Sequence, residues 1–553
     1  MEEETAGRRE TNLIDEWQQA CRRRYERGEE KLEICSESGI PLKPVYTCED
    51  IQGMSDDELG MPGVYPYTRG ADPLGFRFEP IKEFMFFGFG LPEDTRKRMD
   101  MFLNTPGGGQ MIIAVDMPTY YGYDPDHPIS RGRVGQCGTS VCNVEDLEKL
   151  FEGVSLDKVR IGINTPFAGA PMLALYLVYA ETRGYEPDQL RGDTGNRMGK
   201  AMWGFHPCFP AEKSVKIIVE VSRFVLSNMP GWSSLRLDGY TSREQGGNAI
   251  QELAFLLAFS ICVTERVVEA GLSADNFLSR MGVKLNGGID FFEEIAKFRA
   301  FRKLWAKINR EKFDCKDPKA LCLDAIVQTG GVTLTAQQPL NNIVRVTVET
   351  LAAVLGGIRF VDPCTYDEAL SIPSEQGETI ALRTGQILFH EANVRNVADP
   401  LAGSYYVEHL TRSIEEGVYN VLNEIEKRGG AIKCWEDGWF RQQIEAEAYK
   451  WKTMVDKKEK IVVGVNEYVM ENEVEVPLFQ VDPSVEEVMV KRLRAYKNKR
   501  DSNKLDKSLK RLRDIAPLDG QLMPGLIEAA KAGATLGEMM DVLRGVYGWR
   551  VYK

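Results

Sequence analysis

The side chains best placed to do chemistry in this 553-residue chain are the polar residues that close a set of short apolar runs. IKEFMFFGFG (81–90) reads as a strand ending in a glycine turn, and it leaves the ring of Phe86 where the strand stops. Seven later segments have the same form: QMIIAVD (110–116), VRIGINT (159–165), QLRGDTGN (189–196), SLRLDGY (234–240), FLSRMG (277–282), LDAIVQT (323–329) and IRFVDP (358–363). Each is closed by Asp, Asn, Gln, Thr or Gly. The usual catalytic devices do not accompany them. There is no GxxxxGK[ST], no strand-linked GxGxxG and no GxSxG. His127, His206, His390 and His409 are too dispersed for a zinc site on sequence grounds, and no metal site is expected. The GGG at 107–109 precedes a strand and reads as a tight turn rather than a phosphate cradle. With so few acid–base or metal groups, chemistry at these closers would be borrowed from a cofactor.

What positions the closers is an alternation of strand and helix. Between most of the runs lies enough chain for a helix, and eight strand–helix units are what a (β/α)8 barrel needs. Such a barrel gathers its chemistry at the C-terminal strand ends, so the closers would ring one mouth. The runs at 189–196 and 277–282 are weak strands on their own. NAIQELAFLLAFSICVTERVVEAG has apolar residues at helical spacing and stops at Gly271, as a buried barrel helix would. The expected fold class is α/β: a (β/α)8 TIM barrel over 61–400, an N-terminal wrapping arm over 1–60, and a helical C-terminal region over 401–553. The basic run KRLRAYKNKRDSNKLDKSLKRLR reads as a solvated helix face. The final stretch reads as a helix pair joined at Gly533.

Composition narrows the function classes. A 43% hydrophobic fraction is ample for a large core, and the length calls for two or three domains. The formal charge of -13 argues against a nucleic-acid or anionic-membrane partner. Eleven cysteines without CxxC pairs, and a charged N-terminus with no apolar signal region, point to the cytoplasm.

Several strings together resemble the large subunit of the coenzyme-B12-dependent acyl-CoA mutases, the methylmalonyl-CoA, isobutyryl-CoA and 2-hydroxyisobutyryl-CoA mutase family. They are PGVYPYTRG (62–70), FGFGLPEDT (87–95), DMPTYYGYDPDHP (116–128), LTAQQPLNNIVR (334–345), YDEALSIP (366–373), DPLAGSYYVE (399–408), GVNEY (464–468) and AAKAGATLGEM (529–539). The resemblance implies a barrel threaded by the CoA chain, with adenosylcobalamin over its mouth. Radical rearrangement there needs walls that exclude water more than it needs acids and bases. The family's D-x-H-x-x-G cobalt-ligand motif is absent, since none of the four histidines has Gly three places on. The resemblance therefore implies that cobalamin arrives on a separate small subunit, in a heterotetramer.

The resemblance also implies roles for particular residues. Gln328, Gly331, Glu368 and Gly88 fall at cofactor-side positions, and Tyr240 and Glu244 at positions around the reacting centre. Arg280, Lys319 and Arg77 fall at CoA-contact positions. The departures are as informative. Phe86 stands where methylmalonyl-CoA mutases have Tyr, and Thr241 where a His meets the thioester carbonyl. The carboxylate-clamping Arg falls at Phe205, or a one-residue gap brings His206 there. Phe84–Met85 replace RQ, Leu74 and Glu79 replace Thr and Arg, and Ile112 replaces Ser. The implied substrate is an unusual acyl-CoA, bulky or aromatic, with Arg133, Arg197 or Lys284 left as cations for any carboxylate. Two rival readings are a non-catalytic paralogous barrel supporting an active partner, and a barrel binding a non-CoA acid.

Overall fold

The computed structural model of the chain describes residues 16–17, 19–20, 34–78, 82–103, 110–204, 206–323, 325–471 and 476–550. A short antiparallel pair, β1 (Ile34–Cys35) and β2 (Pro41–Leu42), precedes the main sheet. That sheet contains β3 (Lys82–Phe87), β4 (Gln110–Ile113), β5 (Ile161–Ile163), β6 (Arg191–Asp193), β7 (Gly231–Trp232), β8 (Arg236–Asp238), β9 (Gly282–Gly287), β10 (Ile326–Thr329) and β11 (Phe360–Asp362). All its pairings are parallel, in the order β7-β6-β5-β4-β3-β11-β10-β9-β8. The two end strands are consecutive in the chain, separated only by 233–235. Ser233 still donates to Gly192 beside β6, at 2.8 Å, whereas Leu235 already accepts from Gly282 beside β9, at 3.0 Å.

Strand alternation sorts the side chains onto two faces. Val283, Leu285, Val327 and Val361 belong to the main core shared with the helices. Their alternates point the other way. Phe86, Ile112, Ile326 and Phe360 form a separate small apolar cluster, and Lys284, Gln328 and Asp362 share that inner face by position. The crowding is close: a Cβ on Gly162 would lie 2.7 Å from Ile112 Cγ1.

Helices cover the outer face, and their sequences show how. The helix Gly169–Thr182 is apolar all round because it is buried between the sheet and the C-terminal helix Leu522–Lys531. The helix Ala249–Glu269 begins at Asn248, which exchanges capping hydrogen bonds with Gln251. Behind it lies a charged knot. Lys297, with no exposed surface, donates to Glu252 at 2.8 Å and to the Asn286 carbonyl at 2.6 Å, and lies 2.5 Å from Glu294. Arg243 joins Glu294 at 3.4 Å and Glu37 at 2.9 Å, which ties the β1–β2 loop to the sheet. The chain ends in helices from Tyr405–Lys427 to Leu536–Tyr547, the last two flanking Gly533.

One expected strand is displaced. Residues 274–278 are helical, capped by Ser273, and the strand is Gly282–Gly287 instead. The run GVKLNG hides its strand character because its inner-face residues are Lys284 and Asn286 rather than apolar. No helix among the described residues is long and apolar enough to cross a membrane.

Candidate active site

The C-terminal ends of β3, β10 and β11 open on a cavity of about 270 Å3. Phe86, Gly88 and Phe89 line one side, Gln328, Asp362, Cys364 and Glu368 the other. Gly88 has a steric reason to be glycine: a Cβ there would lie 2.0 Å from the Ala114 carbonyl oxygen.

Lys284, 4% exposed, meets the cavity lining through Gln328. Its ammonium is 5.0 Å from the centroid of the Phe86 ring and 4.4 Å from that of Tyr240, and it donates to Gln328 Oε1. The bond sets the amide, whose Nε2 turns to Cys364 Sγ at 3.7 Å. Burial pulls the Lys284 ammonium below its ordinary range while the Asp362 carboxylate opposes the shift. Burial likewise raises Asp362, against the pull of Lys284. Asp362 is 7% exposed and its Oδ2 has no hydrogen-bond partner.

Two more carboxyls stand at the rim. Glu244 ends the short helix Tyr240–Glu244 and accepts from Asn286 Nδ2 at 2.8 Å. Burial raises its affinity for a proton, an effect offset by the Val332 N–H and by Asn286. Gly331 packs against it: a Cβ there would be 2.9 Å from Glu244 Oε2 and 3.4 Å from the Tyr240 hydroxyl. Glu368 has an exposed side chain, yet the protein crowded round its carboxyl, with Asp362 and Glu244 nearby, pushes it up to about 7. Thr241 uses its backbone N–H on Asp238 Oδ1, at 2.8 Å.

Beyond Tyr240 the mouth is cationic and aromatic. Burial would raise Asp238, but Lys200 and Arg197 outweigh it and hold the carboxyl well below its usual range. Arg197 Nη1 is 3.3 Å and Lys200 Nζ 3.5 Å from Asp238 Oδ2. His206 shares a 2.7 Å hydrogen bond with the Tyr121 hydroxyl and lies 5.5 Å from the Phe167 ring centroid. Burial, then Lys200, lowers it to about 4, so it is a neutral imidazole near pH 7. Phe205 lies outside the described residues, as do 107–109.

A second group lies at the opposite strand ends. Arg77 precedes β3, Arg280 precedes β9 and Lys319 precedes β10. Arg77 and Lys319 are exposed, and Arg280 donates to the Met229 carbonyl at 3.4 Å. The site residues thus divide into a mouth set (Phe86, Gly88, Tyr240, Thr241, Glu244, Gln328, Gly331, Glu368, with His206 across the opening) and a far-end cationic set. Sequence reasoning left Lys284 as one loose cation among three; the signal that places it is the alternation Val283–Lys284–Leu285, read with the correct strand. Asp362 was visible as a strand closer, its unpartnered oxygen was not.

The family model described as methylmalonyl-CoA mutase matches residues 35–549. The chain is 36% identical over 523 residues to the 2-hydroxyisobutanoyl-CoA mutase large subunit of Aquincola tertiaricarbonis, covering 94% of this chain and 93% of that protein. It is 35% identical over 539 residues to the methylmalonyl-CoA mutase of Rhizobium meliloti (strain 1021), covering 97% and 75% respectively. Against the human mitochondrial methylmalonyl-CoA mutase it is 35% identical over 515 residues, covering 92% and 68%.

Proposed function

The chain belongs to the methylmalonyl-CoA mutase family and is an acyl-CoA mutase, an isomerase, and from that premise we propose that it is the large subunit of an adenosylcobalamin-dependent carbon-skeleton mutase. The observation that carries this reading is a cavity at the C-terminal strand ends lined by Gln328 and Glu368, with Glu244 and Gly331 packed together behind Tyr240. These residues fit an adenosyl group. Gly331 lets Glu244 and Tyr240 pack close to the backbone, and the Glu368 carboxyl in the cavity lining is an acceptor for hydroxyl or amide donors. Cobalamin, when bound, supplies the organic radical that a carbon-skeleton rearrangement needs. The chain's own part is to hold the acyl group and exclude water: Phe86 and Tyr240 wall the floor, and Lys284 holds Gln328 in one orientation. Such a convergent set argues against a non-catalytic supporting barrel.

Taking β7 and β8 as halves of one strand makes the sheet a (β/α)8 barrel over 61–400, flanked by an arm (1–60) and a helical region (401–553). Its inner face then runs from the mouth to Arg77, Arg280 and Lys319, a length suited to a CoA chain with its phosphates at the cationic end. With Phe86 in the wall, the acyl portion is bulky or aromatic.

Cobalamin is brought by a separate small subunit, in a heterotetramer in the cytoplasm. An apolar rim supports that partner. Val332 and Val344 are exposed beside Gly331, and so are Tyr468, Val469 and Met470. The turn carrying the last three is bound to that side by Gln338 Nε2 on the Tyr468 carbonyl (2.9 Å) and Arg345 Nη2 on the Val463 carbonyl (2.8 Å). The test is reconstitution. The chain alone should neither retain cobalamin tightly nor turn over acyl-CoA, and a small cobalamin-binding subunit should restore both. Val344→Glu should weaken that association. Stoichiometric cobalamin binding by the isolated chain would defeat the two-subunit reading. Efficient interconversion of methylmalonyl-CoA and succinyl-CoA would defeat the bulky-acyl reading.

A further inference from the structure

We infer that Asp362, which lines the mouth cavity, and Lys284, bonded to Gln328 of the same lining, form a polar pair that selects an acyl-CoA whose acyl group carries a hydroxyl. The inference rests on the acyl-CoA mutase reading and names the substrate class for it.

The two residues face each other across the inner side of the sheet without touching. Lys284 lies on β9 and Asp362 on β11, with Gln328 of β10 between them, level with Asp362 in the register. Among the described residues no ion pair of 4.0 Å or less joins them, yet each is the other's principal opposite charge. Lys284 has three N–H donors and spends one on Gln328. Asp362 Oδ2, in a residue more than nine-tenths buried, accepts no hydrogen bond from the described residues. A buried carboxylate oxygen left without a donor is costly, and the matching group is one that donates to it.

The ligand chemistry follows from that inventory. A hydroxyl carries one donor and two acceptor lone pairs, so it can donate to Asp362 and accept from Lys284 at once. A ketone accepts only. A carboxylate accepts only, and it would bring a further negative charge toward Asp362, Glu244 and Glu368, faced by Lys284 and, beside Glu244, by an Arg243 already paired with Glu37 and Glu294. A plain alkyl group leaves both polar groups unmatched. The apolar cluster of Phe86, Ile112, Ile326 and Phe360 beside the pair receives the rest of the acyl chain.

The experiment is calorimetric titration of the full chain with thioesters that share a four-carbon skeleton: butyryl-CoA, 2-hydroxybutyryl-CoA, 3-hydroxybutyryl-CoA and succinyl-CoA. One hydroxylated thioester should bind roughly ten- to a hundredfold more tightly than butyryl-CoA, the range for a hydrogen bond to a charged group. Asp362→Val and Lys284→Met should each abolish the preference while free CoA, which lacks the acyl group, binds within about threefold of wild type, which separates loss of selection from loss of fold. Asp362→Asn, which keeps an acceptor, should retain part of it. Equal affinity for butyryl-CoA and both hydroxylated thioesters would overturn the inference and leave the pair bridged by water alone. Tighter binding of succinyl-CoA would overturn it in favour of a carboxylate held by Lys284. No binding of any thioester would remove the acyl-CoA reading together with the inference.

Discussion

His206 and Lys297 show how differently two buried basic residues are held. His206 titrates near 4, below its ordinary 6.5, because burial and the Lys200 charge disfavour the imidazolium. For a group depressed in this way the stabilising contribution is complete above pH 6.5 and is lost as pH falls from 6.5 to 4. His206→Gln should therefore flatten the acid side of the stability profile. Urea denaturation at pH 7 and at pH 4 should show the gap between wild type and variant changing by about 3 kcal/mol at most. An unchanged gap would mean that the imidazole meets solvent freely. Lys297 has no exposed surface and compensates Glu252 and Glu294. Lys297→Met would leave those carboxylates buried without their cation, and removing one partner of such a group typically costs 3–5 kcal/mol. The expected outcome is a much lowered urea midpoint or insoluble protein.

At the scale of elements, Gly88 is the sharpest test of strand-end geometry. Gly88→Ala places a methyl 2.0 Å from the Ala114 carbonyl oxygen, so the end of β3 must move away from β4. That carbonyl also accepts from the Thr139 N–H at 2.9 Å, so the displacement would carry into the 132–140 loop. Both cobalamin-dependent turnover and thermal stability should fall, whereas the same change at Gly132, where a Cβ meets nothing within 4 Å but φ is +73°, should cost only about 1 kcal/mol of backbone strain. The parallel strands were legible where apolar alternation ended on a polar closer, as at 110–116 and 323–329. They were not legible where the inner face is charged. Lys284 and Asn286 make β9 look like a loop, and FLSRMG looked more like a strand than the helix and turn it forms. Their burial depends on partners far away in sequence, Asp362, Gln328 and Glu244, which no local pattern contains. The mouth residues could be named from resemblance, but the free oxygen on Asp362 and the orientation of Gln328 exist only in three dimensions.

Across the whole molecule, the segment before the sheet acts as a hook. Glu37 meets Arg243 at 2.9 Å, its backbone N–H donates to Asp290 at 3.1 Å, and Ser38 binds Glu293 through its N–H at 3.0 Å and its hydroxyl at 2.7 Å. Burial would raise the Glu37 carboxyl, but Arg243 outweighs it and keeps the group ionised. Glu37→Ala should remove about 1–3 kcal/mol of stability. Because Arg243 is followed by Glu244, the loss should also loosen the mouth, read as a raised dissociation constant for the small subunit proposed above. A variant that binds the subunit normally would show that the hook stabilises without shaping the site.

The seam at 233–235 gives the sheet one place where mechanical load is not shared by a ladder. Every other neighbouring pair is stitched by parallel hydrogen bonds, but among the described residues no ladder joins β7 to β8, which are linked by the chain between them and by side-chain bonds such as Arg236 on Asp193. Parting them breaks no ladder, only side-chain bonds such as Arg236 on Asp193 and Arg197 on Asp238, so this edge can open at less cost than any paired one, as an expansion joint does. Deuterium uptake should then be faster at Ser234 than at the amides of β10, and a ligand threaded along the inner face should slow it more there than anywhere else in the sheet.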